Sequence, residues 1–240
     1  MEIYFYLTVV ALLAGFIQGL SGFGSVLLSL PFMVLFLDIR EAIPLVNLMG
    51  VILSVMLIVQ LRAHWDWGKI VPLLVGALPG IPVGVYLLKR MDPAHVQIIL
   101  GLVLVAYAVY GLLFRLPVGK VGGAWAYLFG FFAGGLGGAI SASGPSVIVY
   151  TSLQDWTKDQ IKVTLQGFFI ISGLLIGVFH AASGLTTEGV IRNFLVSIPT
   201  LLGGTWLGSR LYGKFREEGY RRVMLILLGA LGVFTLARVL

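Results

Sequence analysis

Two short runs of small residues carry most of the chemistry open to this chain. The first is Gly19-Leu20-Ser21-Gly22-Phe23-Gly24-Ser25. The second is Gly134-Gly135-Leu136-Gly137-Gly138-Ala139-Ile140-Ser141-Ala142-Ser143-Gly144-Pro145-Ser146. Glycine is a poor helix former and proline a worse one, so each run reads as a place where one helix stops and another starts. A helix that begins inside a membrane presents unpaired N–H groups and the positive end of its dipole, and such an end binds anions. Ser141 and Ser143 are residue types that cap helix starts. Pro145 suits the first turn of a helix, where its missing N–H costs nothing. Ser21 and Ser25 fit the same capping role in the first run. Two such ends, each worth about half a positive charge, would together offset roughly one negative charge without a buried Lys or Arg.

Other chemistry lacks its residues. The ten acids, from Glu2 to Glu218, fall at loops or at the ends of apolar stretches. Carboxylates near the bilayer centre usually carry proton relays and cation sites, and none is expected there. Paired carboxylates for hydrolysis and a His/Asp/Glu metal cluster are not discernible. His64, His95 and His180 are scattered, and His180, late in a stretch, reads as a packed or interfacial histidine. There is no cysteine, which excludes disulfides, thiolate metal sites and thiol catalysis. The expectation is a protein that is not an enzyme and needs no cofactor.

The elements that position these runs follow from composition. Hydrophobic residues make up 59% of the 240 and charged residues 11%. A soluble domain is about 25% charged, so this chain cannot make a polar skin. It reads as an all-α polytopic membrane protein. The basic balance, +6, then belongs to cytoplasmic loops rather than to nucleic-acid binding. An acidic residue, Glu2, precedes the first long apolar run, so that run reads as retained rather than as a cleaved signal.

Eight charge-free stretches appear: 3–37, 42–61, 70–88, 93–114, 121–154, 163–187, 193–209 and 223–237. A spanning helix needs about 17–25 residues. The first and fifth stretches have 35 and 34, and as straight helices each would measure about 50 Å against a hydrocarbon core of about 30 Å. Each must break, and the breaks are the two Gly/Ser runs. The pairs Gly15/Gly19, Gly130/Gly134 and Gly204/Gly208 also form small-xxx-small patterns, which let helices pack closely.

An internal repeat emerges. Gly15-Phe16 and Gly19 correspond to Gly130-Phe131 and Gly134, Asn47 to Gln166, and Pro79, Gly84 and Arg90 to Pro199, Gly204 and Arg210. Repeat 1 is 1–114, with a broken helix at 3–37 and spans at 42–61, 70–88 and 93–114. A linker follows at 115–122. Repeat 2 is 123–240, with a broken helix at 123–154 and spans at 160–183, 189–209 and 221–238. If each broken element is re-entrant, every half crosses an odd number of times and the halves are inverted. The loops around 62–69, 115–120, 155–162 and 210–222 then share one face with 11 Lys/Arg, against 5 on the other. If the broken elements instead cross once, the halves are parallel and the split becomes 10 to 6; in both versions the positive-inside rule makes the more basic face cytoplasmic and puts both termini outside.

With these segments in view, the chain resembles the sulfite exporter TauE/SafE family of membrane permeases. The resemblance rests on Gly15 to Gly24 with Leu28-Ser29-Leu30-Pro31, on Asp38 to Ala42 leading to Asn47, and on Ala63-His64-Trp65-Asp66. It continues through Gly76 to Gly84, Gly134 to Ala139 and Ser143-Gly144-Pro145. One departure stands out: where the family usually ends its second turn in Gly-Gly-Pro-Pro, this chain has Ser141-Ala142-Ser143-Gly144-Pro145-Ser146. The resemblance implies export of small sulfur oxyanions, sulfite or organosulfonates such as sulfoacetate, across a bacterial inner membrane. The expected site lies between the repeats. Ser21, Gly22, Gly24, Ser25, Ser141, Ser143 and Gly144 would donate, Phe23 would wall the site, and Pro145 would fix the second half-helix. Asn47 and Gln166 would flank the solute or tie helices together. The expected partners are a small anion and membrane lipid, with a homo-oligomer left open. A permease for another anion or a metal ion, or a membrane scaffold subunit, is the alternative.

Overall fold

A computed structural model describes residues 2–22, 24–61, 65–113, 121–211 and 217–239. Among them are ten helices: α1 (Glu2–Ser21), α2 (Ser25–Met33), α3 (Ile39–Leu61), α4 (Trp67–Arg90), α5 (Pro93–Leu113), α6 (Ala124–Ile140), α7 (Gly144–Ser152), α8 (Lys158–Ala182), α9 (Glu188–Leu211) and α10 (Glu217–Val239). Seven of them, α1, α3, α4, α5, α8, α9 and α10, are long and apolar enough to cross a membrane. The fold is an all-α membrane protein. In lipid every backbone group must be satisfied within the protein, which is why so apolar a chain settles into helices.

Both long charge-free stretches break. The first becomes α1 and the nine-residue α2, the second the 17-residue α6 and the nine-residue α7. The second break is shorter than expected from the glycine run. Gly134, Gly135, Gly137 and Gly138 remain helical, and only residues 141–143 interrupt the chain. The reason is packing. A Cβ on Gly134 would sit 2.3 Å from the Ala77 carbonyl oxygen, and one on Gly80 2.2 Å from that of Phe131. These glycines bring α6 and α4 to backbone contact. Close approach is a main source of helix association in lipid, and it outweighs the low helix propensity of glycine.

The broken elements are hairpins. The Tyr6 ring stacks on that of Phe36, beyond the end of α2, with centroids 5.8 Å apart, so α2 returns along α1. Gln154, just past α7, donates from its amide to the Val121 carbonyl ahead of α6 at 3.3 Å, and the Ser146 hydroxyl donates to the Phe129 carbonyl at 2.7 Å. Each hairpin therefore ends on the side where it began.

The most extensive helix pairings are α4 with α6, α1 with α9, α5 with α10 and α3 with α8. Gly15 meets Leu201 and Gly208 meets Phe16 and Leu20, so α1 and α9 run parallel, while Gly76 meets Tyr127 and Gly84 meets Gly135 and Ala139, so α4 and α6 do too. Gly173 meets Val51 and Gly177 meets Leu48, making α3 and α8 antiparallel; Gly101 meets Leu236 and Gly111 meets Leu225, making α5 and α10 antiparallel. At the far end of α4, the Arg40 guanidinium donates to the Met91 carbonyl at 2.7 Å and the Lys89 ammonium to that of Ser183 at 2.8 Å. The starts of α1 and α3 and the ends of α4 and α8 therefore share one face of the bundle.

Candidate functional site

The first hairpin turns through Gly22 and Gly24, with φ of 81° and 92°. This left-handed conformation is costly for residues with a Cβ. The Gly22 N–H donates to the Gln18 carbonyl at 2.7 Å and closes α1. Gly24 holds the N-cap position of α2, without a side-chain cap. Ser25 is not a cap: its hydroxyl donates to the Gln18 side-chain oxygen at 2.7 Å. The N–H groups of Ser25, Val26 and Leu27 are thus left without intrahelical acceptors, the first later one, Leu28, donating to the Gly24 carbonyl. The Ser21 side chain and the whole of Phe23 lie outside the described residues.

The second hairpin turns at Ser141, a non-glycine residue with φ of 53°. The N–H of Ser141 donates to the Gly137 carbonyl and that of Ala142 to Leu136. The Ser141 hydroxyl crosses to α3 and donates to the Ile43 carbonyl at 2.9 Å. Ser141 therefore ends α6 rather than capping α7. Ser143 occupies the N-cap position of α7 but makes no side-chain cap bond, so its hydroxyl is not spent on the helix start. Pro145 stands in the first turn of α7 and is buried.

Both turns reach one cavity of about 60 Å³. By the same measure a water needs about 10–15 Å³, so the space suits a few waters or one small solute. Of the expected residues, Gly24, Ser25, Asn47, Ser141, Ser143 and Gly144 line it. Gly22, Pro145 and Gln166 do not line it. Asn47 and Gln166, matched in sequence, do different work. Asn47 is on the wall and donates from its amide to the Gly173 carbonyl at 3.0 Å. Gln166 lies off it and donates to the Gly22 carbonyl, which braces the first turn.

The walls also include residues outside the expected set. From α1 comes Gln18, one helical turn before Gly22. From α3 come Gly50, Val51 and Ser54, and from α8 Phe169, Ser172, Gly173 and Ile176. With Asn47 these make two stripes at i, i+3, i+4 and i+7, the spacing of one helix face. That signal was present, but a stripe of Gly, Ser, Val and Ile does not distinguish a cavity wall from a packed interface. His180 is fully buried, and its Nε2–H donates to the Gly138 carbonyl at 2.9 Å. It is the packed histidine expected.

No Lys, Arg, Asp or Glu lines the cavity among the described residues. What the walls offer is hydroxyl, amide and helix-start N–H. In a low-dielectric interior such dipoles act strongly, and they can replace part of the hydration shell of a solute that accepts hydrogen bonds. The model of the family described as sulfite exporter TauE/SafE matches residues 7–235. The chain belongs to that family. It is a family of membrane transporters of the sulfite or anion exporter type, not of enzymes. No curated protein and no solved structure matches the chain with significance.

Proposed function

We propose that this TauE/SafE member exports a small sulfur oxyanion, sulfite or a short organosulfonate such as sulfoacetate, across a bacterial inner membrane by alternating access. The observation that carries the reading is the convergence of two half-helix starts, those of α2 and α7, on one cavity walled by uncharged donors. Each start contributes about half a positive charge, enough together to hold roughly one negative charge. Broken helices facing a central site recur in repeat-built transporters.

We also read the two halves as inverted repeats, which suits the same function. Two hairpins that each return to their starting side, the parallel pairs α1/α9 and α4/α6, and the antiparallel pairs α3/α8 and α5/α10 give each element of residues 123–240 a direction opposite to its counterpart in residues 1–114. The site then lies between the repeats, and the face with 11 Lys/Arg is cytoplasmic by the positive-inside rule. Those basic loops raise the local anion concentration. An inside-negative potential of 100 mV drives each negative charge outward by about 2.3 kcal/mol, or about 50-fold in concentration, so no coupling ion is required.

The test is flux of radiolabelled sulfite through purified protein in liposomes. Saturable movement that accelerates when the potential repels anions from the compartment they leave is expected. Flux no greater than in empty liposomes, for sulfite and for sulfoacetate alike, refutes the reading.

A further inference from the structure

We propose that α8 carries the two latches that close the cavity, Gln166 toward the basic face and His180 toward the opposite one. The naming of these faces as inner and outer rests on the transport reading above. Gln166, Gly173 and His180 are seven residues apart in sequence, two helical turns each, and so share one side of α8. Each makes one contact across the bundle. Gln166 donates to the Gly22 carbonyl in the first turn, the Gly173 carbonyl accepts from Asn47 on the cavity wall, and His180 donates to the Gly138 carbonyl near the end of α6. One helix thus grips both hairpins, with the cavity between its two grips.

Both carbonyls belong to interrupted chain. Gly138 lies in the last turn of α6, whose carbonyls have no intrahelical donor, and Gly22 lies between α1 and α2. A side chain that donates to such a carbonyl holds the hairpin; when it lets go, the Gly138 carbonyl is left for water, while that of Gly22 keeps only the longer bond from the Gln18 amide, at 3.4 Å. Each latch side chain also keeps one polar atom unmatched: Gln166 Oε1 and His180 Nδ1 are buried with no hydrogen-bond partner among the described residues. A buried unpaired polar group is costly, and water entering from that side would relieve it. With both latches made, the two hairpins are held against α8 on either side of the cavity.

The native chain has no cysteine, so Ser172→Cys on the cavity wall is a single reporter. Its reaction with a membrane-impermeant cationic methanethiosulfonate is timed from the outside of cells and from the cytoplasmic face in inside-out vesicles. His180→Leu is expected to speed labelling from outside about tenfold, the equilibrium effect of one buried hydrogen bond, with the cytoplasmic rate unchanged. His180→Gln, which keeps a donor for Gly138, restores the slow rate. Gln166→Leu does the converse, from the cytoplasmic side. If His180→Leu does not fold, Ser141→Ala removes the neighbouring tie to Ile43 and is read for the same outside acceleration. Equal changes from both sides, or none, overturn the latches. Sulfite flux of the otherwise unaltered chain in the same vesicles separates that failure from failure of the transport reading itself.

Discussion

Gly84→Ala tests whether backbone contact between α4 and α6 holds the second hairpin in place. A Cβ there would lie 2.1 Å from the Gly135 carbonyl oxygen and 2.8 Å from the Ala139 nitrogen, where ordinary contact begins at 3.4 Å. Both obstacles are backbone and cannot rotate aside, so the helices must part by about 1.3 Å. Overpacking of this kind costs about 1–3 kcal/mol, offset by at most about 1 kcal/mol from the better helix propensity of alanine. With a net cost of about 1–2 kcal/mol, at about 2–4 °C per kcal/mol for a chain of this size, the melting temperature in detergent should fall by about 2–8 °C. Gly203→Ala is the control. It lies in a helix with nothing within 4 Å of its added Cβ, so it should melt at or slightly above the parent. Ala139 precedes Ser141 by two residues, so the same displacement moves the cavity wall and should raise the KM for sulfite. A Gly84→Ala protein that melts with the parent, or no lower than Gly203→Ala, would refute the packing argument.

Two further perturbations separate the roles of single side chains. Asn47→Asp keeps the size of the wall residue but introduces a carboxylate; at about 5 Å and an effective dielectric of about 20, the repulsion of an anion is about 3 kcal/mol, so sulfite binding followed by calorimetry at pH 8 should weaken about 100-fold. Unchanged affinity would mean that the anion does not visit this wall. Ser141→Gly relieves the left-handed backbone but loses the hydroxyl bond to Ile43, two opposed effects of about 1 kcal/mol each, and should melt near the parent. Ser141→Ala loses the bond and keeps the conformation, so it should melt about 2–4 °C lower; the reverse order would contradict the assignment.

Charge spacing alone was enough to read the membrane class and the need for two breaks, because the bilayer sets a length that 35 and 34 uncharged residues overrun. It also located the first turn well, since Gly22 and Gly24 both take conformations that glycine tolerates. The second turn was read too broadly. A glycine serves equally to end a helix and to let two helices touch, and its role depends on whether another backbone lies against it. For Gly134 and Gly138 one does, so the helix continues to Ile140.

The candidate site divides along the same line. Residue type pointed to Ser25, Asn47, Ser141 and Ser143, because hydroxyls and amides amid uncharged residues have few other reasons to be there. Where each hydroxyl and amide hydrogen goes was not legible in sequence. Ser141 donates to Ile43 and Gln166 to Gly22 across separations that only the packed bundle closes, and Ser25 to Gln18 across the first turn. Local pattern and the thickness of lipid dictate which segments are helices and where they must stop. Which hydroxyls remain for a solute depends on the partners that distant helices bring, and those partners exist only once the hairpins have docked.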